Sequence, residues 1–139
     1  MSDSKIKLER KAKKLIKNEY VIWLTTVDSD HTPQPRPVWF IWDNDSFLIF
    51  SEPQAYKVQH IKQNDSVSLH FNTDETGDMD VIVYIGKAVL DGDTPPAHKV
   101  PAYLRKYRKG IKELGMTPEK FSSEYSVAIR IKPTSLRGW

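Results

Sequence analysis

The stretch from Phe47 to Asn64 reads FLIFSEPQAYKVQHIKQN. Its first four residues form an apolar run of strand character that stops at Ser51. Pro53 opens a segment of helical spacing that carries Lys57 one turn in and ends near Asn64. Proline is favoured at the first helical position, where a missing N–H costs nothing. A strand, a hydroxyl, a helix N-terminus and a lysine in this order predict a phosphate site. The free N–H groups and the positive end of the helix dipole face the anion. A helix cap beside a solvated lysine accounts for Ser51 and Lys57 equally well, so the surrounding sequence has to decide.

Upstream, Tyr20 to Val27 is rich in β-branched and aromatic residues and reads as a strand. Asp28 to Pro33 is turn chemistry, and Val38 to Trp42 is a second strand. Asp43-Asn-Asp-Ser46 is a tight connection, so Val38 to Phe50 forms a hairpin. Downstream, Val67, Leu69 and Phe71 alternate with polar residues in a strand with one buried face. Thr73 to Asp80 is an acidic loop. Val81 to Leu90 is a long strand whose first half does not alternate, which predicts two buried faces, one of them against another subunit. Tyr125 to Ile131 is the last strand, with Val127, Ile129 and Ile131 inward.

Helices flank these strands. Residues 3–18 carry Leu8, Ala12, Leu15 and Ile16 on one face and lysines over much of the rest. Ala97 to Leu114 places Val100, Tyr103, Leu104, Tyr107 and Ile111 on one face, with a start at Pro101 allowed. Thr117 caps a short helix that begins at Pro118. The fold class is therefore mainly β with flanking helices: six or so antiparallel strands in a closed or partly closed barrel.

The chain has 139 residues, which predicts one domain, 1–139, with an N-terminal helix over 1–18 and a helical insertion over 97–123. That size is small for a self-contained cofactor pocket, so a site shared between two subunits is expected. The formal net charge of +3 is a mild excess that says little about nucleic acid by itself, and no nucleic-acid partner is expected. The absence of cysteine excludes disulfides, thiolate metal sites and cysteine nucleophiles. The longest strictly apolar runs have five residues, too few for a helical membrane span, and no signal-peptide core is present, so a cytoplasmic location and no membrane partner are expected.

His31, His60, His70 and His98 lack metal spacing, and Asp74, Glu75, Asp78 and Asp80 lack the EF-hand arrangement, so no metal is expected. The chain carries no glycine-rich dinucleotide loop, no Walker motif and no glycine-flanked serine elbow.

Three motifs carry a resemblance. They are Leu24-Thr-Thr-Val-Asp28 through Gln34-Pro-Arg-Pro-Val-Trp-Phe40; Phe50-Ser51 followed by Lys57 and Asn64; and the closing Ile131-Lys-Pro-Thr-Ser-Leu-Arg-Gly-Trp139. In order and spacing they resemble the pyridoxamine-phosphate-oxidase-like flavin-binding split barrels, over nearly the whole chain, and look closest to the branch that uses the deazaflavin coenzyme F420. The resemblance implies a split β-barrel homodimer with shared cofactor sites, binding F420 or FMN, and an oxidoreductase passing hydride to or from a small organic substrate. A non-catalytic FMN, F420 or haem carrier or sensor is the alternative.

Carried over position by position, Ser51 and Lys57 would hold the phosphate. Val38, Trp39 and Phe40 would line the ring, and Trp139 would approach the site from this subunit or its partner. No side chain in the motifs asks for an acid–base role, so the catalytic residues are unknown. One departure is visible: the turn that commonly reads Asp-Gly in this family is Asp30-His31 here, which asks His31 for a conformation more often given to glycine.

Lys99, Arg105, Lys106, Arg108, Lys109 and Lys112 form a basic stripe interleaved with Tyr103 and Tyr107. It reads as a solvated helix face with its tyrosines in the core. If it meets a ligand, the oligoglutamate tail of F420 is the preferred partner, through Arg105 and Lys109, four residues apart.

Overall fold

The computed structural model describes residues 3–77 and 81–139. In chain order the elements are α1 (Asp3–Asn18), β1 (Val21–Val27), β2 (Pro33–Trp39), β3 (Ile41–Asp43), β4 (Ser46–Ser51), α2 (Tyr56–Gln63), β5 (Ser66–His70) and β6 (Ile82–Leu90). A 3-10 turn at Ala97–Lys99 leads into α3 (Pro101–Glu113) and α4 (Pro118–Glu124), and β7 (Val127–Gly138) closes the chain. The seven strands form one antiparallel sheet in the order β2-β1-β5-β6-β7-β4-β3. The sheet curls into a half-barrel with flanking helices, of which α1 and α2 add Ala12, Val58 and Ile61 to the barrel core.

The apolar run Phe47 to Phe50 explains itself in this frame. All of β4 is buried. Phe47 and Ile49 enter the barrel core with Ile22, Leu24 and Leu69. Leu48 and Phe50 point the other way, into a second core with Tyr103, Tyr107, Ile111 and Phe121 from α3 and α4. A strand covered on both faces has no polar side to alternate with. The hairpin before it is as its sequence implies: Asn44 and Asp45 both have positive φ, 52° and 58°, the geometry of a two-residue turn matched to strand twist. His31 adopts φ 64°, the left-handed conformation its turn demands.

Three boundaries differ from expectation. Val38 to Trp42 is not one strand, because Phe40 separates β2 from β3. β2 itself begins five residues earlier than Val38, at Pro33. Its prolines, 33, 35 and 37, sit opposite Val27, Thr25 and Trp23 on β1. A proline cannot donate to a ladder, so these alternate positions turn their backbone away from β1, onto the free edge. There proline is tolerated and hinders the addition of a further strand. β7 also runs beyond Ile131 to Gly138, pairing with β6 over its whole length.

Within the single chain, burial in β6 alternates. Ile82, Tyr84, Gly86 and Ala88 face inward, while Val83 is partly exposed and Ile85 and Val89 are exposed. Apolar residues on the outer face are what broke the alternation of the sequence.

Phe40 is the corner at which the chain passes from one edge strand of the sheet to the other, and neither ladder includes it. α3 supplies the missing partners. The Phe40 N–H donates to Tyr107 Oη at 2.6 Å. That hydroxyl lies 2.8 Å from the carbonyls of both Phe40 and Tyr20, so its one proton goes to either. Lys106 Nζ donates to the Phe40 carbonyl at 2.9 Å and sits 3.7 Å above the Phe40 ring. Gly110 lets the helix come this close, since a Cβ there would meet Tyr20 Oη and the Trp39 ring.

Tyr107→Phe should therefore lower stability by about 1–3 kcal/mol, the cost of leaving a buried backbone donor unpaired. Urea unfolding would read this as a lower midpoint at unchanged slope; a midpoint equal to wild type would show that the corner does not depend on the hydroxyl.

Candidate functional site

β4 ends at Ser51, which is 1% exposed, and its Oγ donates to the Glu52 carbonyl at 3.0 Å. The chain then turns over Glu52 to Ala55, and α2 starts at Tyr56. Pro53 thus precedes the helix instead of opening it, and Lys57 is the second helical residue. Ala55 at the N-cap makes no side-chain cap hydrogen bond.

Across from α2 lies the inner face of β2. Val38 closes the barrel there, opposite Ile22; the next inward residues, Arg36 and Gln34, sit opposite Leu24 and Thr26. The wall turns polar at this end. Thr26 Oγ1 meets His60 Nδ1 at 2.8 Å, and Gln34 Nε2 donates to Asp28 Oδ2 at 3.0 Å. Thr26, Gln34, Arg36, Glu52, Lys57 and His60 line a cavity of about 300 Å³.

On the other side of Lys57 is an aromatic cleft of about 250 Å³, with Val38, Trp39, Phe50, Tyr103, Phe121 and Tyr125 in its walls. The Trp39 ring stacks on Tyr107 at 4.6 Å and on Phe121 at 5.7 Å.

Lys57 is half-buried, and its pKa lies below the usual lysine range. Burial is the main cause; Glu52 pulls in the opposite direction, and the Arg36 charge adds to the depression. Neither cation has an ion-pair partner among the described residues. Two positive groups on one cavity wall, neither of them in a salt bridge, can share an anion.

Val38, Trp39 and Lys57 of the sequence-predicted set therefore meet at one place. The Ser51 hydroxyl lines neither cavity, being turned to its neighbour's carbonyl. The Phe40 side chain is fully buried in the barrel core. Trp139 lies elsewhere on the chain, 65% exposed, its backbone paired to Val81 at 3.0 and 3.1 Å and its side chain over a groove with Lys5, Lys7 and Leu8 of α1.

Arg36 was missed by the sequence reading. Its signal was available: it precedes Val38 by two and so shares that residue's face of the strand. Of the basic stripe, Lys106 turns inward and Tyr103 and Tyr107 are core; Lys99, Arg105, Arg108, Lys109 and Lys112 are exposed. Among the described residues no three acidic or histidine side chains converge on a metal position. Asp78 and Asp80 of the acidic loop lie outside the described residues. No described helix is long and apolar enough to cross a membrane.

A family model described as pyridoxamine 5'-phosphate oxidase matches residues 8–139. No curated protein matches the chain. Solved structures share its fold at low identity. The haem storage protein HutZ from Vibrio cholerae superposes with a TM-score of 0.64 at 16% identity, over 94% of this chain and 93% of that one. An F420 reductase gives 0.61 at 21%, over 90% and 94%. A FAD-binding protein from Mesorhizobium loti gives 0.64 at 15%, over 92% and 89%.

The geometry makes one direct demand on solution behaviour. Arg36→Gln removes one of the charges that depress Lys57, so the lysine pKa should rise towards its ordinary value. An NMR titration of the Lys57 side chain reads this; an unmoved pKa would mean that the two cations do not sense each other.

Proposed function

The chain belongs to the pyridoxamine 5'-phosphate oxidase family, and we propose that it binds a phosphate-bearing flavin or deazaflavin, FMN or F420, and acts as an oxidoreductase on a small organic substrate. The observation that carries this is the juxtaposition at Lys57. Arg36 and Lys57 offer two cations outside any salt bridge on one side, and Val38, Trp39 and Phe121 offer an apolar, aromatic slot on the other. A ring system with a phosphorylated side chain has this same division of chemistry. Each cavity alone falls at or below the roughly 300–1,000 Å³ of small-molecule sites, and the two meet at Lys57.

The cofactor, when bound, supplies the hydride chemistry. Arg36 and Lys57 neutralise and position its phosphate. Val38 and Trp39 hold one side of the ring and keep water from it, with the Trp39 plane fixed by stacking on Tyr107 and Phe121. The second reading is a non-catalytic binder, a carrier or sensor of a flavin or of haem. Its support is that a haem storage protein has the same fold and that fold does not decide function.

Two copies of the chain complete the site in this reading. Trp23, Thr25, Ser68, His70, Val83 and Ile85 share the outer face of β1, β5 and β6. Trp23 stacks on His70 there, and Ile85 is exposed. A mixed sheet face with Trp23, Val83 and Ile85 as its apolar members suits an isologous dimer.

Titration of the purified protein with FMN and F420 side by side tests the binding reading, and reduction of candidate acceptors separates enzyme from carrier. Lys57→Ala should weaken the preferred cofactor by about 1.5–3 kcal/mol, the range for a hydrogen bond to a charged group. Affinity equal to wild type would remove Lys57 from the site. Light scattering at micromolar concentration should give twice the 16.1 kDa chain mass; a monomer that still binds cofactor would refute the shared site.

A further inference from the structure

The cavity that holds Arg36 and Lys57 also holds a carboxylate. Glu52 lines it from the turn between β4 and α2. Its backbone is fixed: its carbonyl accepts from Ser51 Oγ at 3.0 Å and from the Ala55 N–H at 3.2 Å. Its side chain reaches two neighbours. Its charge acts on Lys57 and also on Tyr125. Tyr125 and Lys57 both line the aromatic cleft. Glu52 therefore stands at the junction of the two cavities, beside the place where an anion would sit. With Arg36 and Lys57 positive and Glu52 negative, the formal charges of these three side chains sum to 2 − 1 = +1.

We propose that Glu52 sets the charge of the anion this cavity accepts, matching it to a monoanionic phosphodiester over a dianionic phosphomonoester. This rests on the phosphate-site reading of Arg36 and Lys57. A monoanion neutralises the cavity. A dianion leaves one uncompensated negative charge beside the half-buried Lys57, where charge–charge terms are larger than in water. Glu52 already shares Lys57, so it repels each added unit of negative charge on the ligand. F420 presents a phosphodiester and FMN a monoester, so the same residue tilts the choice of cofactor towards the deazaflavin.

The test is Glu52→Gln, which keeps the shape and removes the charge. Three ligands on one ring system are titrated by fluorescence at about pH 7.5, above the second phosphate pKa near 6. They are riboflavin, the methyl phosphate ester of FMN, and FMN, with charges of zero, minus one and nearly minus two. The coulombic effect scales with ligand charge. The variant should therefore bind riboflavin unchanged, the methyl ester about threefold tighter and FMN about tenfold tighter.

Equal changes for all three ligands, or no change, overturn the proposal. Lys57→Ala in the same series separates the two levels of the argument. If it weakens both phosphate esters relative to riboflavin while Glu52→Gln leaves their ratio unmoved, the phosphate site stands and the role of Glu52 falls. If the wild-type protein binds neither ester better than riboflavin, both fall.

Discussion

The structure depends on how the sheet closes at Phe40. The two edge strands of a seven-stranded sheet, β2 and β3, are consecutive in sequence and joined by this one residue. A residue that leaves one ladder before joining the next has a backbone N–H and C=O to satisfy, and burial makes that obligatory. Tyr107 and Lys106 of α3 meet both demands. The corner therefore cannot form properly without a helix that arrives some 60 residues later, and that helix cannot dock without the corner.

The position has a chemical cost. Burial lowers the Lys106 pKa to about 8, against the pull of Glu19, and pushes the Tyr107 phenol well above its usual range. A lysine with a folded pKa below its unfolded value binds fewer protons in the native state between the two. Protonation there favours unfolding, and the contribution grows more favourable as pH rises from about 8. The Phe40 carbonyl and ring partly offset the cost by offering the ammonium a hydrogen bond and an aromatic face. The same helix turn faces Trp39 with Tyr107. Closure of the barrel and the flatness of the aromatic cleft thus have one origin.

Elements whose signal is local were legible in the sequence. The doubly buried β4, the Asn44-Asp45 turn, the left-handed His31 and the Thr117 cap, whose hydroxyl accepts from the Lys120 N–H at 3.1 Å, each follow from one residue type meeting one backbone requirement. β2 was not legible, because three prolines argue against a strand until one knows that every second residue faces a free edge. The start of α2 was misplaced because Pro53 fits a first helical turn as well as the turn before it. Arg36 joins Lys57 only through tertiary approach of β2 to α2, which no spacing records. Trp139 shows the reverse: its oddness at a chain end was visible, but its neighbours in this chain are the lysines of α1 and not the cleft.

Proteins described by haem storage, F420 reduction and FAD binding superpose on most of this chain at 15–21% identity. Core positions at such identity are constrained by volume and patterning, which many side chains satisfy. The barrel is then a scaffold, and ligand choice has to come from residues that the core does not require. In the proposed cofactor reading those residues fall into three groups around Lys57. Arg36 and Gln34 lie beyond the point where β2 needs apolar inward residues. Glu52 occupies the turn before an uncapped helix. Tyr103 and Phe121 come from α3 and α4, between β6 and β7 in sequence, and build a wall on Trp39 that the sheet alone cannot provide. Each group can change without disturbing the Phe40 corner except the last, because α3 serves both. A substitution that reshapes the aromatic side of the cleft should therefore be felt in folding, whereas one that changes its charge need not be.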